Sequence, residues 1–155
     1  MQTTIPPGFK VTEEQFIKLA AAEDTNRLER TAEGELIVMP PTGSETVRRN
    51  LNLSAQVFNC NAQAGEPGEV FDSSTGFKLS NGATRSPDVS WIESSRWNSL
   101  TQEQQQGFAP IDPDFVIELM SQSDKLETAQ AKMKEYISCG VKLGWLINPD
   151  AKQVE

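Results

Sequence analysis

Histidine is absent from the 155 residues of this chain. That absence removes histidine general bases, Ser-His-Asp triads and nearly every common zinc geometry. Any metal bound here must be held by oxygen ligands, which points to magnesium, manganese or calcium. Cysteine is scarce. Cys60 and Cys139 fall in separate expected helices without CxxC spacing, so two free thiols are expected rather than a disulfide or a zinc site. No apolar run approaches the length needed to span a bilayer, and Met1-Gln2-Thr3-Thr4-Ile5-Pro6-Pro7 lacks the basic and apolar regions of a signal peptide. The expectation is a cytoplasmic protein with no membrane partner. An excess of positive charge is also missing: the net charge is −8 and the pI about 4.6. This argues against a simple nucleic-acid binder, although a local basic patch, a bridging metal or an oligomer can build a positive groove on an acidic protein.

What is present suits one domain with a real core, with no internal repeat and no interdomain linker. Thr12-Glu13-Glu14-Gln15 has capping-box form and opens a helix over about residues 12–23. Leu28 to Thr31 and Glu35 to Met39 flank Ala32-Glu33-Gly34 as a hairpin. Val47, Leu51, Ala55, Phe58 and Ala62 recur at helical spacing, and Gly65 ends that helix. Short strands follow: Val70-Phe71, Gly76 to Leu79 and Thr84 to Ile92, with Asn81-Gly82 as the strongest hairpin signal. Residues 93–110 suggest a short helix and surface loop. Phe115 to Leu119 is a strand. Asp124 with Glu127 forms a second capping pair for a helix running to about Ser138, and Val141 to Ile147 is a further strand. The order implies an α/β fold, a mixed sheet flanked by helices.

Two short strands, Pro87-Asp88-Val89-Ser90-Trp91-Ile92 and Asp114-Phe115-Val116-Ile117-Glu118-Leu119, each carry a carboxylate into an apolar run. Such a carboxylate is costly to desolvate without a compensating cation. Convergence of Asp88 and Glu118 on one divalent metal is one solution. A strand-end acid that is solvated, or ion-paired with Arg85 or Lys142, is another, and both stay open on the residues alone. The helix after Glu118 has an apolar stripe of Leu126, Ala129, Met133, Tyr136 and Ile137. At about 100° per residue, Lys125 and Lys132 lie on one edge of that stripe and Lys134 beyond the other. Lys132 can therefore reach back to the sheet while its stem packs on apolar surface. Ordinary i,i+3 and i,i+4 pairing on a solvated helix is the competing account.

These segments, with Ser86-Pro87-Asp88, Pro113-Asp114, Lys132-Met133-Lys134-Glu135-Tyr136 and Gly140-Val141-Lys142-Leu143-Gly144-Trp145-Leu146-Ile147-Asn148-Pro149, resemble the Uma-two (Uma2) family of restriction-endonuclease-like proteins, within the PD-(D/E)XK nuclease-like superfamily. The resemblance extends to Glu29-Arg30-Thr31, Met39-Pro40-Pro41-Thr42-Gly43 and Phe71-Asp72-Ser73-Ser74-Thr75-Gly76-Phe77, nearly the whole chain in order. It implies a single nuclease-like domain over residues 1–155 that hydrolyses nucleic-acid phosphodiester bonds, DNA first, with magnesium or manganese. By the same resemblance Asp88 and Glu118 ligate the metal, the Leu119 carbonyl adds a ligand, and Glu29 is an additional site residue. Met120 stands where the usual motif has its lysine, so the resemblance assigns that role to Lys132 on the following helix. Family sequences often continue with another strand pair. The resemblance therefore implies a chain truncated at its C-terminus, with a sheet edge or a homodimer surface left incomplete.

Two other readings compete. Met120, the acidic pI and the absence of the arginine that family members often carry after the acid fit a nuclease-like fold that no longer cuts and serves as a protein-interaction module. A small-molecule phosphohydrolase would need an enclosed pocket. Arg48 and Arg49 are expected to pair with neighbouring acids. Trp91, Trp97 and Trp145 are expected in core or edge packing rather than as base-stacking platforms.

Overall fold

The computed structural model describes residues 5–155. Helix α1 (Glu13–Ala22) starts at the capping box: the Gln15 amide donates to the Thr12 hydroxyl at 3.2 Å, and the Gln15 side chain accepts from the Thr12 amide at 2.9 Å. Its Phe16 is fully buried against Val11 and Leu36. The hairpin of β1 (Arg27–Arg30) and β2 (Leu36–Met39) follows in antiparallel register, Arg27 to Met39 and Arg30 to Leu36. Its turn uses Gly34 at φ 89°. A long helix, α2 (Ser44–Gln63), leads into β3 (Gly68–Asp72).

Strands β4 (Phe77–Lys78) and β5 (Thr84–Arg85) form the Asn81-Gly82 hairpin, with Gly82 at φ 88°. Then come β6 (Val89–Glu93), two short helices α3 (Ser94–Trp97) and α4 (Gln102–Gln106), β7 (Phe115–Leu119), α5 (Leu126–Ser138), β8 (Leu143–Asn148) and β9 (Gln153–Val154). The strands divide into two sheets, ordered β2-β1-β5-β4 and β3-β6-β7-β8-β9. The second is mixed: β7 and β8 run parallel, joined by α5 as the crossover a parallel pair requires, and the other neighbours are antiparallel.

The expected strand from Thr84 to Ile92 is two strands in two sheets. Pro87 explains the break, since it has no N–H to continue a ladder. The chain leaves the first sheet after Arg85 and enters the second at Val89. Ser86-Pro87-Asp88 is thus the joint between the sheets, and it places Asp88 there.

The main core lies between α5 and the sheets, built on Phe77, Leu79, Ile92, Val116, Tyr136 and Val141. α5 sits close on β8, where a Cβ on Gly144 would lie 2.5 Å from the Met133 methyl. Two details of α5 differ from expectation. Asp124 does not cap it. Its carboxylate instead takes the Ser121 amide at 2.7 Å, and Lys125 occupies the N-cap without a side-chain bond. Ile137, placed on the apolar stripe, is 52% exposed.

Helix α2 carries the apolar stripe at helical spacing on its outer side: Val47, Leu51 and Phe58 are exposed. Its inward side is mixed. Leu53 and Val57 are half-buried, and Asn61 accepts from the Trp91 indole at 2.8 Å and from the Gly68 amide at 3.2 Å, while its own amide donates to the Gly68 carbonyl at 2.8 Å. Hydrogen bonds to β3 and β6, together with half-buried Leu53 and Val57, mark the face this helix turns inward.

Candidate active site at the junction of the sheets

The antiparallel register of β6 and β7 pairs Val89 with Ile117 and Ser90 with Val116. Continued by one residue, it sets Asp88 opposite Glu118, on the sheet face covered by α5. The two acids read from sequence therefore share one face. From the first sheet, β1 contributes Glu29, only 2% exposed. From above, α5 contributes Lys132, whose Nζ lies 2.8 Å from Glu118 Oε1 and 2.8 Å from Glu29 Oε1. Asp88, Glu118, Glu29 and Lys132 are thus brought together, and Lys125 and Lys134 make no contact of this kind. Lys132 also lies 5.9 Å from the centre of the Tyr136 ring.

Each side chain is held by further bonds. The Tyr136 hydroxyl donates to Glu118 Oε1 at 2.7 Å. Asp88 accepts from the Leu119 amide at 2.8 Å and from the Asn50 side chain of α2 at 3.1 Å. Glu29 accepts from the Ser86 amide at 2.9 Å and from Arg85 at 3.1 Å, and Arg85 also binds Glu135 at 2.6 Å. Arg27 hydrogen-bonds the Ser73 carbonyl at 2.8 Å and approaches Asp88 to 3.9 Å. The ion-pair alternatives resolve differently for each residue. Arg85 serves Glu29, and Lys142 pairs with Asp114 at 2.9 Å rather than with Asp88 or Glu118. Arg48 and Arg49 bind Glu45 at 2.8 and 3.0 Å, as expected.

The electrostatics follow from burial. Desolvation pushes Glu118 up to about 7; Lys132 opposes this, while Asp88 and Glu29 reinforce it. Desolvation also raises Asp88, against the pull of the Leu119 amide and Lys132. Burial would raise Glu29 too, but Lys132 and Arg85 more than cancel it and hold Glu29 below the usual glutamate range. Burial disfavours the charged amine of Lys132, and the Glu118 and Glu29 carboxylates outweigh that and raise its pKa. The cluster thus holds a firmly protonated lysine beside a carboxylate reluctant to ionise.

A cleft of about 1120 Å³ opens over these residues. Among the described residues no group of three or more His, Cys, Asp or Glu side chains is arranged to hold a metal ion. The donors present are Asp88, Glu118 and the neighbouring backbone. No helix among the described residues is long and apolar enough to cross a membrane.

The match that decides kinship is to a sequence family described as "Putative restriction endonuclease", Uma2, over residues 13–155. The chain belongs to the Uma2 family. A search of curated proteins returns no match. Among solved structures it resembles one described as a "putative nuclease belonging to DUF820" from Anabaena variabilis ATCC 29413. The two are 20% identical with a TM-score of 0.70, over 90% of this chain and 76% of that one. At that identity the likeness concerns the fold: an α/β arrangement of two sheets flanked by helices, shared by this Uma2 protein and a nuclease-like structure.

Sequence reasoning missed three supports of the cluster. Tyr136 was placed in the apolar stripe, but it is the chain's one tyrosine and a buried phenol needs a polar partner, which was a usable signal. Arg85 was read as a partner for Asp88 or Glu118, whereas it bridges Glu29 and Glu135. Asn50 carried no signal, since its role depends on how α2 is rotated.

Proposed function

We propose that this Uma2 protein is a metal-dependent endonuclease that hydrolyses phosphodiester bonds of DNA at the junction of its two sheets. The observation that carries the reading is Lys132, held at 2.8 Å from both Glu118 and Glu29, with Asp88 across the ladder from Glu118. Asp88, Glu118 and the Leu119 carbonyl would hold magnesium or manganese. The donor set suits it: all oxygen, two carboxylates and a carbonyl, with room for water and phosphate oxygens in the cleft. When bound, such an ion neutralises charge on the phosphate and makes water easier to deprotonate.

The chain's own residues do the rest. Lys132 stays protonated and presents N–H donors where negative charge develops on the phosphate. Glu29, anchored by Arg85 and the Ser86 amide, fixes the lysine's position. The Tyr136 hydroxyl restrains the Glu118 carboxylate through its hydrogen bond to Oε1. Arg27, Arg49 and Lys125 line the cleft and are cations available to flanking phosphates, within a lining that carries more carboxylates than basic side chains.

The test is nicking of supercoiled plasmid by purified protein with magnesium or manganese. Wild type is expected to nick, chelator to stop it, and Asp88→Asn to lose at least about 100-fold in rate, since the variant keeps an acceptor for the Leu119 amide but loses the charge. Equal nicking by wild type and Asp88→Asn would overturn the assignment.

A further inference from the structure

We propose that α2 is the seam of a two-fold symmetric dimer of this chain, formed by antiparallel pairing of the helix with its copy. Val47, Leu51 and Phe58 are 54%, 68% and 59% exposed, and Ala55 and Ala62, also exposed, complete the stripe. With spacings of four, four, three and four residues, these side chains fall within about 80° of helix surface and run some 22 Å along the axis. Scattered exposed apolar residues need no explanation, but a continuous stripe of this kind marks an interaction surface.

The order of residues along the stripe says what covers it. Reversed about its midpoint, the stripe matches itself: Leu51 falls opposite Phe58, Val47 opposite Ala62, and Ala55 lies beside the axis. A two-fold interface requires this property, because residue i meets j and j meets i. The small Ala55 at the crossing lets the two backbones approach, and the large pairs on either side fill the seam.

Charge points the same way. The chain has 22 acidic residues and a net charge of −8, so two copies repel over most of their surfaces. Yet Asn50 to Gln63 contains no charged residue, and a charge-depleted patch is the form an interface core takes. The charges that remain sit at the helix ends. Glu45, Arg48 and Arg49 at the first turn sum to one positive charge, and Glu66 follows the last turn. Antiparallel pairing sets each basic end against the partner's acidic end and opposes the two helix dipoles, whereas parallel pairing stacks like on like. Asn52, Asn59 and Gln63 border the stripe on its solvent side as an uncharged hydrogen-bonding rim.

The proposal is independent of nuclease activity, and its test uses neither metal nor nucleic acid. Sedimentation velocity of the full chain is expected to show a concentration-dependent dimer. Leu51→Glu and Phe58→Glu are each expected to raise its dissociation constant about 30-fold or more, with circular dichroism unchanged. Orientation is read by Ala55→Cys, expected to form an intermolecular disulfide through position 55 under mild oxidation. Gln56→Cys, turned away from the stripe, is expected to form none. A wild-type chain that stays monomeric up to its solubility limit overturns the proposal in favour of a different partner. A dimer indifferent to both glutamate substitutions overturns it in favour of another face. Cross-linking by Gln56→Cys but not by Ala55→Cys refutes the antiparallel seam.

Discussion

Helices α2 and α5 look alike as sequence and behave as opposites in the structure. Both carry an apolar stripe at helical spacing and a scattering of polar residues. α5 turns its stripe inward: Tyr136 is fully buried, Met133 lies against β8, and Lys132 rides the stripe's edge into the site. α2 turns its stripe outward and offers the sheet asparagines, Asn61 to Trp91 and Gly68, Asn50 to Asp88. Periodicity therefore identifies a face without saying what the face meets. α5 obeys the hydrophobic rule because it crosses over between parallel neighbours β7 and β8 and must cover them. α2 meets its neighbours through half-buried Leu53 and Val57 and directed hydrogen bonds to β3 and β6, and its longer apolar stripe stays available.

The contrast should be plainest in stability. Tyr136→Ala is expected to cost about 3–5 kcal/mol, through an uncollapsed cavity and a Glu118 that loses its hydroxyl donor. Leu51→Ala, at an equally apolar position of α2, is expected to change the stability of the monomer by less than about 0.5 kcal/mol. Urea denaturation of both variants at concentrations too low for self-association measures the difference. Comparable losses would mean that α2 packs its stripe inward after all.

Acid–base behaviour sharpens the α5 side. Glu118 is raised in the folded chain to about 7 from its ordinary 4.5. The folded state then binds more protons than the unfolded one between those values, so this group's contribution to stability is present below about pH 4.5 and is lost as pH rises to about 7. Glu29 has the opposite sign. Its lowered pKa adds stability above its ordinary value, lost as pH falls through the folded one. Removing the titrating proton with Glu118→Gln is expected to flatten the fall between pH 4.5 and 7 and leave the acid limb in place. Parallel wild-type and variant curves across that window would show that Glu118 does not titrate there.

Much of the fold and part of the site were legible. Thr12 and Gln15, the Asn81-Gly82 turn, the Glu118 strand and the reach of Lys132 are local patterns, set by capping, turn chemistry and side-chain length. Pro87 was visible too, yet its consequence was not, because whether a strand continues or changes sheets depends on what lies beside it. The same limit hid Arg85 and Tyr136 as supports: each acts on a residue far along the chain, Glu29 for one and Glu118 for the other. Asp124 misled because a capping pair and a turn use the same residue types, and here the Ser121 turn took the carboxylate.

A small effect is expected where the two regions meet. Asn50 joins α2 to the acidic pair through a 3.1 Å hydrogen bond to Asp88, and its own carbonyl oxygen is buried without a partner among the described residues. Replacing it by alanine removes a donor from Asp88 and an unsatisfied acceptor from the interior at once. The first costs about 1 kcal/mol and the second returns part of it, so the net loss for Asn50→Ala should stay near or below about 1 kcal/mol. Asp88 would nevertheless lose a bond that favours its charged form, so its pKa should move further up from an already raised value. Stability from urea titration and the Asp88 carboxyl titration by NMR measure the two separately. If neither moves, α2 does not support the site, and its contacts with β3 and β6 account for its orientation.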